Sequence, residues 1–265
     1  MTTRLFPALL RYWRGRRGLT QLELALEAEV SARHVSFLES GRSRPSEEMV
    51  LRLLSVLSVP LRDQNEALRA AGLPARFSEG DSHTAPASVE RVIAQMIAQH
   101  EPFPMVVLDP ELVVLRASEG ARRLFGAFLA DPHALPDPLD MISLLFDPRL
   151  LRDAIVGWES LARATLARLA RESLLVGGDA RLERLIHRAL AHPDVPPAWR
   201  HPDFATRDEP ALTVRLARED TRAAFLLAVT TFSTPRQVSV DELRIESLFP
   251  LDDATRALCE RLAPR

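Results

Sequence analysis

Thr20, Ser31 and Ser46 each stand directly before a short run whose apolar residues recur at helical spacing. A hydroxyl in that position accepts a hydrogen bond from an amide of the first helical turn and fixes where the helix starts. Glu23, three residues after Thr20, reaches back to the Thr20 amide and completes a capping box. Gly18 ends the run before Thr20, and Gly41 ends the run that Ser31 opens. Only Glu29 and Val30 separate Ala28, the end of one run, from the cap of the next. Punctuation this dense leaves room for short helices and tight turns, and for no strand. A first helix is predicted from about Leu5 to Arg16. A fourth carries Met49, Val50, Leu53, Leu54 and Leu57 on one face and stops at Pro60, and a fifth runs to about Ala71 before Gly72 and Pro74. Residues 1–76 are therefore expected to form an all-α, five-helix domain.

The second and third of these helices, joined by so short a turn, make a helix-turn-helix unit. Ala25 is the small residue expected where the two cross, with Leu22, Leu24, Val30, Val35 and Leu38 as the apolar layer beneath. Ser31, Ala32, Arg33, His34 and Phe37 open the third helix, and the residues left off its apolar face are free to meet the major groove of double-stranded DNA. Arg33 is the candidate base reader, because a guanidinium can bond O6 and N7 of guanine together. His34 reads either as a donor to a base or phosphate or as a solvated side chain. Phe37 reads either as a contact to a thymine methyl or as core. Thr20 and Gln21 open the second helix, where hydroxyl, amide and backbone N–H groups meet a phosphate, and Arg42 and Arg44 are expected phosphate clamps. Charge agrees with this division. Residues 1–76 hold twelve arginines against eight carboxylates, in a chain whose net charge is −2.

The polar, turn-rich residues 77–88 read as a linker. Residues 89–265 then alternate between strand and helix patterns. Strands are expected at Met105–Leu108, 112–115, 211–216, 223–232 and 244–248, and helices at 89–99, 118–128, 148–191 with a break at Gly177-Gly178, and 253–262. Strands framing a helical insert argue an α+β domain on an antiparallel sheet. Phe103, Phe125, Met141, Phe146, Trp158 and Phe225 are candidate walls of an internal cavity, although residues of these types at such spacings are more often ordinary core. Trp158 stands out because a buried indole N–H needs a partner.

Several functions find no footing. No apolar run is long enough to span a membrane, and Met1–Leu10 has no h-region or cleavage site, so a cytoplasmic protein is expected. Cys259 is the one cysteine, which excludes an intramolecular disulfide. No hydrolase or Walker motif occurs, and His187, His192 and His201 are not spaced to share a helix face. No enzyme, metal site or cofactor is therefore expected.

The segments from Gly18 to Ala25, Val30 to Gly41 and Arg42 to Ser46 together resemble the Cro/C1-type (XRE) helix-turn-helix family closely, over about residues 5–72. The resemblance implies that the third helix reads the major groove and that Glu39 pairs with Arg14 inside the domain. Many family members carry Gly in the tight turn where this chain has Glu29. A positive φ there costs ~1–2 kcal/mol. Leu145–Arg149, Trp158-Glu159, Asp179–Ile186, Trp199, Thr230–Pro235 and Glu246–Pro250 resemble the ligand-binding domain of MmyB-like transcription regulators, over about residues 88–262. That resemblance implies a PAS-like fold, an antiparallel sheet with helices over one face enclosing a cavity for an elongated apolar molecule such as a fatty acid. The expectation is a homodimeric, ligand-responsive transcription regulator. The alternative is a constitutive DNA-binding dimer whose second domain only oligomerises.

Overall fold

The computed structural model describes residues 5–79, 85–176, 180–200, 212–232, 235 and 237–263. It divides into two compact units. The first holds residues 1–84 together with 233–241, and the second holds residues 85–232 and 242–265. The return of 233–241 to the first unit departs from the single cut expected at 77–88.

In the first unit the five expected helices are α1 (Leu5–Arg16), α2 (Gln21–Glu27), α3 (Ala32–Glu39), α4 (Glu47–Val56) and α5 (Leu61–Ala70). The caps are where the hydroxyls stand. Thr20 Oγ1 accepts from the Glu23 amide at 3.1 Å, Ser31 Oγ from that of His34 at 3.1 Å, and Ser46 Oγ from that of Met49 at 3.3 Å. Glu23 returns its carboxylate to the Thr20 amide at 2.7 Å. Phe6, Leu10 and Trp13 from α1 enter the core with Leu24, Ala25, Ala28, Val35, Leu38, Val50, Leu53 and Leu54. Leu22, expected in the apolar layer, is 59% exposed. In a helix of two turns the inward face is filled by Leu24, Ala25 and Ala28, and Leu22 and Leu26 share the opposite face. Arg17 crosses to the end of α4, donating to Leu57 O at 2.6 Å and Ser58 O at 2.9 Å, where a cation meets unpaired carbonyls.

Glu29 adopts φ 54° in the α2–α3 turn, which closes with Val30 N donating to Ala25 O at 2.8 Å. The left-handed conformation crowds a Cβ, so Glu29→Gly is expected to stabilise the first unit by about 1 kcal/mol. A chemical-denaturation midpoint unchanged or lowered by the substitution would contradict this.

The second unit opens with α6 (Ala87–His100), the hairpin of β1 (Met105–Leu108) and β2 (Val114–Ala117), and α7 (Glu119–Phe128). It continues with α8 (Met141–Phe146), α9 (Trp158–Val176) and α10 (Ala180–Leu190). β3 (Thr213–Arg218), β4 (Thr221–Thr230) and β5 (Arg244–Pro250) complete an antiparallel sheet of five strands in the order β2–β1–β5–β4–β3. Between β4 and β5 lies the single-turn α11 (Val238–Asp241), which belongs to the first unit, and α12 (Asp253–Leu262) ends the chain. The expected break at 177–178 lies outside the described residues, as do Asp179, His201, Ala211, Ser233 and Thr234.

β1 is buried at every position because both of its faces are covered. Val106 and Leu108 pack with Phe146, Ala162, Leu166 and Leu169, whereas Met105 and Val107 pack with Ile93 of α6 and Ile245. Helices thus lie on both sides of the sheet, where the sequence led us to expect one. The face toward α7, α8 and α9 is the one that bears the cavity described below. No helix of the described residues is long and apolar enough to cross a membrane.

Candidate DNA interface and ligand cavity

On α3 the inward face is Val35, Leu38 and Glu39. Helical spacing then puts Arg33, Ser36, Phe37 and Ser40 in one stripe on the other side. Arg33 is exposed, and its guanidinium lies over the Phe37 ring at 5.2 Å from the centroid. Arg42, just past the helix, approaches the same ring at 5.9 Å. Phe37 is half-buried, so its ring is a platform that holds two cations forward. Among the described residues the side chains of Arg33, Arg42 and Arg44 make no hydrogen bond or ion pair, which leaves their guanidinium donors free for an anion. His34 and Ala32 are half-buried at the first turn. The Thr20 and Ser31 hydroxyl oxygens accept from their helices, and their O–H groups remain as donors.

Gln21 is placed otherwise than expected. Its side-chain amide donates to Glu39 Oε2 at 2.7 Å rather than standing free for a phosphate. Glu39, 3% exposed, is the hub of the unit. Arg14 grips it with Nε to Oε1 at 2.6 Å and Nη2 to Oε2 at 3.0 Å, and Arg11 donates to its backbone carbonyl at 2.8 Å. Burial pushes the Glu39 carboxyl up, but the bonds from Arg14 and Gln21 outweigh it and hold the group below the usual carboxylate range. α1, α2 and α3 are thereby tied together at the carboxylate that anchors the back of the outward stripe.

In the second unit a cavity of about 100 Å3 lies between the sheet and the helices above it. Val106, Leu216, Leu227 and Leu248 form its floor, and Phe125, Met141, Ile142, Leu145 and Leu161 its roof. Of the aromatic and Met candidates, Phe125 and Met141 line this space. Phe103, Phe146, Trp158 and Phe225 do not. Phe146 and Phe225 are fully buried in the packed core, where a large ring fills space instead of bounding it. Phe103 packs edge-on to His100 and under Arg256. Trp158 has its indole N–H satisfied by Leu145 O at 2.7 Å and its face covered by Arg152 at 4.1 Å.

Three polar residues, Thr165, Arg168 and Glu246, complete the lining, and none was singled out in the sequence. Thr165 and Arg168 share a face of α9 with Leu161, at helical spacing. Glu246 points from β5, with its nearest oxygen 4.0 Å from Arg168. Burial lowers the Arg168 proton affinity and raises that of Glu246. Charged neighbours flank both Arg168 and Glu246 in the sequence, so neither stands out there.

Residues 89–262 match the family model described as the MmyB-like transcription regulator ligand binding domain, and residues 10–64 match the helix-turn-helix model. No curated protein matches the chain. Among solved structures the chain is similar to one described as an RNA-binding light-oxygen-voltage receptor, at 13% identity and a TM-score of 0.30 over 96% of its own length. It spans 55% of that receptor chain.

Proposed function

We propose, because this chain belongs to the family of the MmyB-like transcription regulators, that it reads a DNA operator with the outward stripe of α3 and alters that affinity when an elongated apolar, fatty-acid-like molecule enters the cavity. The two matched domains make it a DNA-binding transcription regulator with a ligand-binding domain. Arg33 is the base reader in this account. Arg42, Arg44, Thr20 and Ser31, with the half-buried Ala32 and His34 at the first turn of α3, meet the backbone around it. The protein acts as a cytoplasmic homodimer and not as an enzyme, its two α3 helices set on half-sites about 34 Å apart.

One observation carries the ligand-responsive part. β4 and β5 contribute Leu227, Glu246 and Leu248 to the cavity wall, and the chain between these two strands is built into the helix-turn-helix unit. There Val238 N donates to Ser78 O at 3.0 Å. Asp241 accepts from the Leu61 amide at 3.1 Å, capping α5, whose own N-cap is Pro60 and offers no side-chain cap. A ligand that favours one arrangement of these strands biases, through the covalent connector, a segment of the DNA-binding unit. Coupling of this kind is typically about 1–3 kcal/mol, or roughly 5–150-fold in affinity.

Asp241→Ala tests the route. The substitution is expected to leave affinity for dodecanoic acid unchanged and to reduce the effect of that acid on operator affinity, with both measured by titration of the full chain. A ligand effect of undiminished size would show that the connector is not the route. A chain whose operator affinity never responds to any apolar ligand is the constitutive dimer instead.

A further inference from the structure

Among the described residues of the first unit, Leu5, Tyr12, Leu22 and Leu26 are the large apolar side chains left exposed, between 41% and 68%. Scattered singly, such residues are ordinary surface. These are not scattered, because all four lie on α1 and α2. Leu5 and Tyr12 are two turns apart and share one stripe of α1, which Arg16 continues one turn on. Leu22 and Leu26 are one turn apart on the outer face of α2, with Glu23 and Glu27 on the adjoining stripe. Neither stripe contains a residue of the outward face of α3, so reading an operator leaves both open.

The two stripes carry opposite charge. α1 has three arginines and no carboxylate, whereas α2 has two carboxylates and no cation. Arg11 and Arg14 are drawn inward to Glu39. Arg16 instead stays with the apolar stripe, donating from Nη1 to Tyr12 Oη at 2.7 Å and lying 5.4 Å from the centre of that ring. Among the described residues it meets no carboxylate. On α2, Glu23 binds the Thr20 amide, and Glu27 makes no side-chain hydrogen bond or ion pair among the described residues. We infer that the α1 stripe of one copy docks on the α2 stripe of a second copy, joining neighbouring protomers head to tail along a duplex. Like charges disfavour α1 on α1 and α2 on α2, and opposite charges favour the mixed pair. A contact between two different patches is heterologous and propagates, unlike a two-fold dimer interface, which pairs one patch with itself. The duplex raises the local concentration of copies, so a contact too weak to hold free protein together still acts there. Its consequence is cooperative occupation of adjacent sites.

The inference rests on the duplex-binding reading above and goes beyond it in naming a second contact surface and its partner. The full chain is titrated at low ionic strength onto a random-sequence duplex with room for one dimer and onto one with room for several. The wild type is expected to bind the long duplex cooperatively, each added dimer about tenfold more tightly than an isolated one, within the usual range of coupling between sites. The ratio of the two affinities cancels any change in attraction to DNA itself. Replacing Leu22 and Leu26 together by Ala is expected to abolish cooperativity, as are Arg16→Glu and Glu27→Arg singly. Arg16→Glu and Glu27→Arg combined in one chain are expected to restore it, because the exchanged charges face each other again across copies. Non-cooperative binding by the wild type would overturn the contact while leaving duplex binding intact, and would leave the α2 stripe for a basic helix of another protein. Cooperativity that survives loss of both leucines, or that the combined exchange does not restore, would also overturn it. A wild type that binds neither duplex overturns both readings. Should the leucine variant lose its fold by circular dichroism, the charge exchange decides.

Discussion

Arg14→Ala is expected to destabilise the first unit by about 3–5 kcal/mol, the cost of leaving one member of a buried ion pair behind. The size follows from how completely Glu39 depends on its neighbours. The carboxylate is 3% exposed, and two of its three side-chain hydrogen bonds come from Arg14. Removing Arg14 also frees the Leu19 carbonyl, which accepts from Arg14 Nη1 at 2.7 Å. The pH dependence should change sign as well. In the wild type the folded-state pKa of Glu39 is depressed, so its contribution is full above the ordinary carboxylate range and is lost as pH falls through the folded value. In Arg14→Ala burial dominates, the carboxyl is pushed up, and stability should instead rise as pH falls. Urea unfolding of wild type and variant across the acid range measures both effects. A loss below about 1 kcal/mol, the size of an exposed pair, would contradict the account of Glu39 as hub.

Arg33→Ala is expected to weaken operator binding by about 1–3 kcal/mol and to relax discrimination at one base pair. Among the described residues the Arg33 side chain makes no hydrogen bond or ion pair, and its guanidinium lies over the Phe37 ring. Little has to be broken or ordered before it meets a guanine edge. Arg42→Ala provides the contrast. As a phosphate clamp it should lower affinity for all sequences alike and flatten the salt dependence by about one charge. Anisotropy titrations on matched and scrambled duplexes at several salt concentrations distinguish the two patterns. Operator discrimination left intact by Arg33→Ala would remove it as the base reader.

What the sequence disclosed and what it withheld divide along the range of the forces involved. Helix starts at Thr20, Ser31 and Ser46 are set by hydrogen bonds spanning three residues, so residue type and spacing sufficed for them. Glu29 was a visible anomaly for the same reason, since its conformation depends on a local turn. The five strands could be read from β-branched runs, although the covering of both sheet faces could not. β1 is a continuous apolar run, and such a run does not say which helix covers which side. Gln21 looks like a surface residue until Glu39, eighteen positions on, is folded beneath it. The cavity was least accessible of all. Phe146 and Phe225 are indistinguishable in sequence from Phe125, and only packing over the whole unit decides which ring fills the core and which bounds a space. Arg168 and Glu246 sit on elements far apart in the chain, so their meeting leaves no local signature. The bond from the Leu61 amide to Asp241, across 180 residues, is the extreme case.

Selection of duplexes from a randomised pool by the full-length chain at low ionic strength tests the central claim most directly, with the wild type and Arg33→Ala run in parallel. The account predicts that the wild type enriches a defined, two-fold symmetric sequence and that the variant still binds duplex DNA but loses preference at one position in each half-site. A wild-type chain that retains no duplex, or that enriches the same sequence with and without the Arg33 side chain, would contradict it.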